Sequence, residues 1–161
     1  MRSIASRVAC PYASSSAEVD VTRQQISDFF VQQRDYWKAR DPDRLASGHS
    51  NDGVIVSPIF RTVTGTAAIA ASYRSLFQLF PDWDYRGEEL LIDGDRVAEP
   101  FTALATHVGE FMGIAGTMRK FEIQGVRLFD MRDGRIRHER RYYDFTGLLI
   151  QLGVLRTKPS R

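Results

Sequence analysis

The sequence predicts an α+β fold, with helices packed on one face of a curved antiparallel sheet around a deep pocket. Three observations predict it. Apolar residues recur at helical spacing in the first half, strand-like alternation takes over in the second, and two Asp-Gly pairs, Asp93-Gly94 and Asp133-Gly134, punctuate the alternating runs as hairpin turns. Helices first and a long meander last is the order of an α+β domain with segregated layers. At 161 residues, 43% of them hydrophobic, the chain is the size of one domain and can bury a real core.

Taken in order, residues 1–20 are rich in Ser and Ala, carry Arg2 and Arg7, and hold no acidic residue before Glu18. Transit peptides share that composition, but a flexible tail is the reading favoured, followed by a domain over 21–156 and a short tail over 157–161. Thr22 is the N-cap of a first helix of about five turns, on which Ile26, Phe29, Phe30, Gln33, Tyr36 and Trp37 form one stripe. Pro42 sits just inside a short second helix that ends near Gly48. "GVIVSPIFRTVTG" reads as two short strands broken near Pro58. In the third helix Ile69, Tyr73, Leu76, Phe77 and Phe80 share a face, and Pro81 stops it. Two hairpins follow. Pro100 interrupts the second strand of the first hairpin, where a bulge or a stretch without a neighbour is expected.

Composition narrows the function. Twenty-two Lys plus Arg against twenty Asp plus Glu leave a formal charge of +2, too balanced to mark the whole chain for nucleic acid or an anionic membrane. The local run Arg132, Arg135, Arg137, Arg140 and Arg141 falls on both faces of one strand, so it forms no continuous basic stripe. Cys10 is the single cysteine and the histidines stand at 49, 107 and 138, without the spacing of a zinc site. No window reaches the length of a membrane span. A cytoplasmic protein with no metal, no membrane and no nucleic-acid partner is expected.

The strand "RIRHERRYYD" raises the main question. Alternation puts Arg135, Arg137, Glu139, Arg141 and Tyr143 on one face, and Ile136, His138, Arg140, Tyr142 and Asp144 on the other, and neither face is apolar. The strand before it carries an inward row of Phe121, Ile123, Gly125, Arg127, Phe129 and Met131, and the one before that a row running from Phe101 to His107 and Phe111. If Glu139, Arg141 and Tyr143 join these rows, the sheet lines a cavity that mixes charge with aromatic walls, suited to proton transfer beside a carbonyl. A carboxylate buried there is pushed up by desolvation and pulled down by arginine, and either a base or a structural ion pair results. His107 taken alone reads first as a hydrogen-bonded core histidine, His49 as a residue at a surface or pocket rim, and the Trp and Phe residues of the helices as core.

"FPDW" at 80–83, "IDGDRVA" at 92–98, "THVGEFMG" at 106–113, "DGRI" at 133–136 and "DFTGLLIQLG" at 144–153 occur in an order and spacing that resembles the SnoaL-like polyketide cyclases and ester cyclases of the NTF2-like superfamily. The resemblance runs from about Ile26 to Leu155. It implies a cone of curved sheet and helices around a deep cavity, a homodimer, and ring closure by intramolecular aldol condensation without metal or cofactor. It also implies an acid/base aspartate three residues before the aspartate of "DF", where this chain has Arg141, and an assisting histidine on the preceding strand, where it has Arg127. His107 and Asp144 match the family's "TH.G" and "DF" residues. An arginine is no general base at ordinary pH. The expected arrangement is therefore Glu139 as replacement acid/base, with Arg141 and Arg127 polarising a carbonyl or binding a carboxylate, and His138 and Arg140 facing a partner or solvent. Catalytic candidates are Glu139, Arg141, Arg127 and His107; residues expected to touch a small hydrophobic carbonyl substrate are Tyr36, Phe60, Phe101, Phe129, Tyr143 and Asp144. The segment "TGLLIQLGVL" is expected to cover the cone or a dimer interface. Cyclase, isomerase and dehydratase chemistry stay open. So do a non-catalytic pocket protein that binds a small acid and an assembly or transport adaptor, because one scaffold hosts all of these.

Overall fold

The computed structural model describes residues 22–156; the expected tails, with Cys10, lie outside the described residues. The elements are α1 (Arg23–Ala39), α2 (Pro42–Ser47), β1 (His49–Ser57), β2 (Arg61–Thr64), α3 (Thr66–Leu79), β3 (Asp84–Gly87), β4 (Leu91–Asp93), β5 (Arg96–Thr106), β6 (Lys120–Arg132), β7 (Arg135–Tyr143) and α4 (Phe145–Leu152). Thr22 and Gln25 cap α1 reciprocally, each side chain accepting the other's backbone N–H. The helix then buries Ile26, Phe30, Gln33 and Trp37 of the expected stripe and leaves Phe29 and Tyr36 at its margins. No helix among the described residues is long and apolar enough to cross a membrane.

The strands run in the order β2-β1-β7-β6-β5-β3, with β4 on the same edge of β5, in one curved sheet that stays open. Every pairing is antiparallel except β1 with β7, which is parallel, because β1 enters the sheet straight from α2 beside the start of β7. The inward row of β6 and the start of that of β5 come out as the alternation required, with Phe101, Ala103, Ala105, Phe121, Ile123, Arg127, Phe129 and Met131 buried. Helices α1, α3 and α4 cover this face. Leu148 and Leu152 of α4 are completely buried in the main core, worth roughly 1.5–3 kcal/mol each, so the C-terminal segment covers the cone. The opposite face of the sheet keeps Val56, Leu128 and Tyr142 exposed.

Three details differ from the expectation. The β6–β7 register slips between Asp130↔His138 and Met131↔Ile136, so Arg137 is an extra residue on β7. That bulge changes the parity of the strand, and Ile136 and Glu139 both face inward while Arg135 and Arg137 are exposed. At Pro100 the β5–β6 ladder is unbroken, and the gap lies on the other edge, where β3 stops opposite Phe101 and β4 starts opposite Ala98. The Pro100 carbonyl accepts from Glu88 on that edge, so the missing N–H falls there as well. Finally, β5 ends at Thr106, before His107, and the first hairpin turns at Gly94-Asp95, one residue later than the Asp-Gly pair. The second turns where expected, with Asp133 at φ 49° and Gly134 at φ 71°.

Candidate active site

Strand register sets the charged centre. Glu99 of β5 lies opposite Arg127 of β6, and Arg127 opposite Arg141 of β7, so three charged side chains cross the inner face side by side. Two adjacent guanidinium groups repel. Glu139, on the same face as Arg141, lies between them: its Oε1 accepts from Arg127 Nε at 2.8 Å and from Arg141 Nε at 2.5 Å. Its Oε2 faces His49 Nε2 at 3.1 Å, and since a carboxylate only accepts, Nε2 carries the proton. Burial pushes the Glu139 carboxyl up, but Arg127, Arg141 and His49 together hold it well below the ordinary carboxylate range.

A second carboxylate supports the first arrangement. Tyr85 donates its hydroxyl proton to Glu99 Oε2 at 2.7 Å and accepts from Arg127 Nη1 at 3.2 Å. Burial raises the Tyr85 phenol, which keeps it a donor. Arg34 of α1 donates to Glu99 Oε1 at 2.9 Å, across a gap that only a glycine leaves open, for a Cβ on Gly87 would stand 2.2 Å from Glu99 Oε1. Arg141 Nη2 donates to the Tyr73 hydroxyl at 2.8 Å. Three guanidinium groups, of Arg34, Arg127 and Arg141, thus meet two carboxylates, of Glu99 and Glu139, and the cluster keeps an excess of positive charge.

Arg127 and Arg141 border a narrow recess: about 370 Å³ of space lies in and around it when open solvent is counted, of which about 20 Å³ admits the centre of a water-sized sphere. Its walls are aromatic: Trp37 stacks on Tyr85 at 4.8 Å and Tyr85 on Phe101 at 5.4 Å, with Trp83, Phe60 and Tyr143 completing the ring. The two guanidinium carbons lie 5.4 and 5.9 Å from the Trp37 ring, within cation–π range. Gly125 sits opposite both Phe101 and Tyr143 and has no side chain to fill the space their rings use. Burial pushes the Tyr143 phenol up to about 12. In a site this apolar, a charge developing on a bound oxygen would meet guanidinium donors little screened by water.

Of the residues expected in the pocket, Arg127, Arg141, Phe60, Phe101 and Tyr143 line it, and Glu139 lies behind the arginines. The rest lie elsewhere. Tyr36 is turned to the margin of α1, and its neighbour Trp37 takes the wall. Phe129 lies under Arg127 in a second core cluster with Phe30 and Val97. Asp144 is exposed and caps α4 by accepting from the Gly147 N–H. His107 is buried away from the recess, beside Thr117 and Phe80. His49, expected at a surface or rim, is completely buried because β1 begins at it and carries it beneath Glu139. Glu99, Tyr85, Tyr73, Arg34 and Trp83 were not anticipated as part of the site; for Glu99 the available signal was a lone charge in phase with Val97 and Phe101. Among the described residues no group of His, Cys, Asp and Glu is arranged to hold a metal ion.

The sequence model of the SnoaL-like polyketide cyclases matches residues 28–152. Aklanonic acid methyl ester cyclase AcmA of Streptomyces galilaeus is 31% identical over 96 residues, which span 58% of this chain and 66% of that protein, just under two thirds of its length. Among solved structures, AclR of Streptomyces galilaeus, a candidate hydroxylase, superposes with a TM-score of 0.73 at 25% identity, covering 86% of this chain and 91% of that one. IdmH of Streptomyces antibioticus, a candidate polyketide cyclase, gives a TM-score of 0.67 at 27% identity over 80% and 99% of the two chains.

Proposed function

The chain belongs to the SnoaL-like polyketide cyclase family, and on that premise we propose that it is a cofactor-independent, cyclase-type enzyme that closes a ring in a hydrophobic, polyketide-like carbonyl compound by intramolecular aldol addition. The observation that carries the reading is that the guanidinium groups of Arg127 and Arg141 border an aromatic recess, with Glu139 behind them. A carbon between two carbonyls loses its proton, and the enolate oxygen settles on Arg141 and Arg127. The enolate carbon then forms a carbon–carbon bond to a third carbonyl, further along the same molecule, whose oxygen takes up a proton as its π bond breaks. No proton is consumed overall. Oriented guanidinium donors in a water-poor site stabilise the charge that develops on oxygen more than they stabilise the neutral ketone.

In this scheme Glu139 holds the two arginines in place. Both of its oxygens are engaged and its carboxyl is held low, which makes it a poor proton acceptor. Water at the mouth carries the proton between carbon and oxygen. Isomerisation or dehydration would begin from the same enolate. The reading is tested by incubating the protein with aromatic β-keto esters that carry a second ketone placed to close a six-membered ring, and following products by mass spectrometry and NMR. Ring-closed product is expected from the wild type, with kcat lower by about 10²–10³ in Arg141→Ala, the usual cost of one oxyanion donor. The engaged state of Glu139 also favours a second reading, a pocket that binds a small hydrophobic acid without turnover. Tight binding of such acids with no product after long incubation would select it.

A further inference from the structure

The recess is closed to the compounds of the proposed reaction. About 20 Å³ of it admits the centre of a water-sized sphere, room for roughly one or two waters. A molecule with a ring and two carbonyls enters only if part of the wall moves aside. The wall shows which part. Of the residues that line the recess, Ile59, Phe60, Arg141 and Tyr143 alone are not fully buried, so the mouth lies between them. Arg141 and Tyr143 are held in the sheet by β6, opposite Arg127 and Gly125. Ile59 and Phe60 lie in the three-residue turn 58–60 that joins β1 to β2, and β2 is an edge strand bonded to β1 alone.

Little ties this turn down. Both side chains rest partly buried on the main core, and the Phe60 N–H donates to Ser57 Oγ at 3.1 Å. The residue that closes the turn is Arg61, paired with Ser57 and standing at φ 57°. A three-residue hairpin loop needs a left-handed residue there, a conformation that glycine adopts freely and an L side chain does not. The exposed arginine therefore strains the closed turn, and the strain is released when the turn lets go. We propose that turn 58–60 is a lid: it lifts Ile59 and Phe60 from the core to admit substrate and closes them over it. Closed, it keeps bulk water from the guanidinium groups of Arg127 and Arg141, where charge develops. This inference rests on the reading of the recess as the substrate site.

The test uses the full chain, 1-phenylbutane-1,3-dione as probe, and the fluorescence of Trp37 and Trp83, the two tryptophans of the sequence, which both stand in the wall. Stopped flow gives the association and release rates, and titration gives Kd. Arg61 is exposed and outside the wall, so a change there reaches the probe through the turn. Arg61→Gly favours the closed turn whether the recess is empty or filled. Association and release should both slow by about fivefold, the size of relieving one left-handed residue, with Kd within about twofold of wild type. Phe60→Ala, which removes the larger side chain of the lid, should speed both instead. Rates in Arg61→Gly equal to those of wild type, or a change in Kd carried by one rate alone, would overturn the lid and leave the site standing. Absence of binding, or binding that Arg141→Ala does not weaken, would overturn the site and the lid together.

Discussion

Neutralising Glu139 leaves Arg127 and Arg141 buried and adjacent without the negative charge they share. Losing one partner of a buried ion cluster costs about 3–5 kcal/mol, and Glu139→Gln is expected to lose about that much stability in urea titrations at pH 7. The pH dependence has a definite sign. The folded carboxyl lies below its unfolded value of about 4.3, so its contribution is complete above that pH and fades as acid approaches the lower folded value. The gap between wild type and Glu139→Gln should therefore be widest near neutrality and narrow below about pH 4. A variant as stable as the wild type but inactive would instead support Glu139 as the proton acceptor. At this scale Arg127 was legible because alternation puts it in an apolar inward row, and Arg141 and Tyr143 because they share a strand face with Glu139 beside that row. Trp37 rather than Tyr36 was not, since both sit on one helical stripe and only the packing angle of α1 chooses between them. His49 was not legible either: a histidine after a short helix gives no sign that a buried strand begins with it.

At the scale of elements, the bulge at Arg137 is what brings Ile136 and Glu139 to the same face. Arg137 itself is exposed, and Arg137→Ala should change stability by no more than about 0.5 kcal/mol. Deleting the residue leaves Ile136 and Glu139 two apart, so strict alternation keeps both on the inner face and the pairs Met131↔Ile136, Asp130↔His138 and Phe129↔Glu139 follow one another without a slip. Thermal melts followed by circular dichroism should therefore find both the substitution and the deletion close to wild type; a deletion that destabilises by several kcal/mol, on the order of expelling a buried isoleucine, would contradict this account of the strand. The helices and both hairpins were readable from capping and Asp-Gly pairs, the first turn to within one residue, and the gap beside Pro100 from the rules for proline in sheets. The bulge was not, because alternation assumes one residue per position, and its only trace was an isoleucine out of phase with its polar row.

For the whole molecule, the charged cluster joins parts distant in sequence: Arg34 from α1, Tyr73 from α3, Tyr85 from β3, and the acidic and basic side chains of β5, β6 and β7. It closes the inner end of the recess, and the two guanidinium groups it presents there, of Arg127 and Arg141, are the property from which the proposed chemistry follows. The curvature of the sheet and its helical cover could be anticipated from element order. The balance of charge at the bottom of the pocket could not, because it depends on which carboxylates reach the arginines across strands. The most direct measurement is an absorbance titration of 1-phenylbutane-1,3-dione, whose enolate absorbs separately from its neutral form, free and saturated with protein. Stabilisation of the bound oxyanion by Arg127 and Arg141 predicts an apparent pKa lowered by about one to two in the wild type and restored in Arg141→Ala. A bound diketone that ionises at the same pH as the free one, or at a higher pH, would contradict the account.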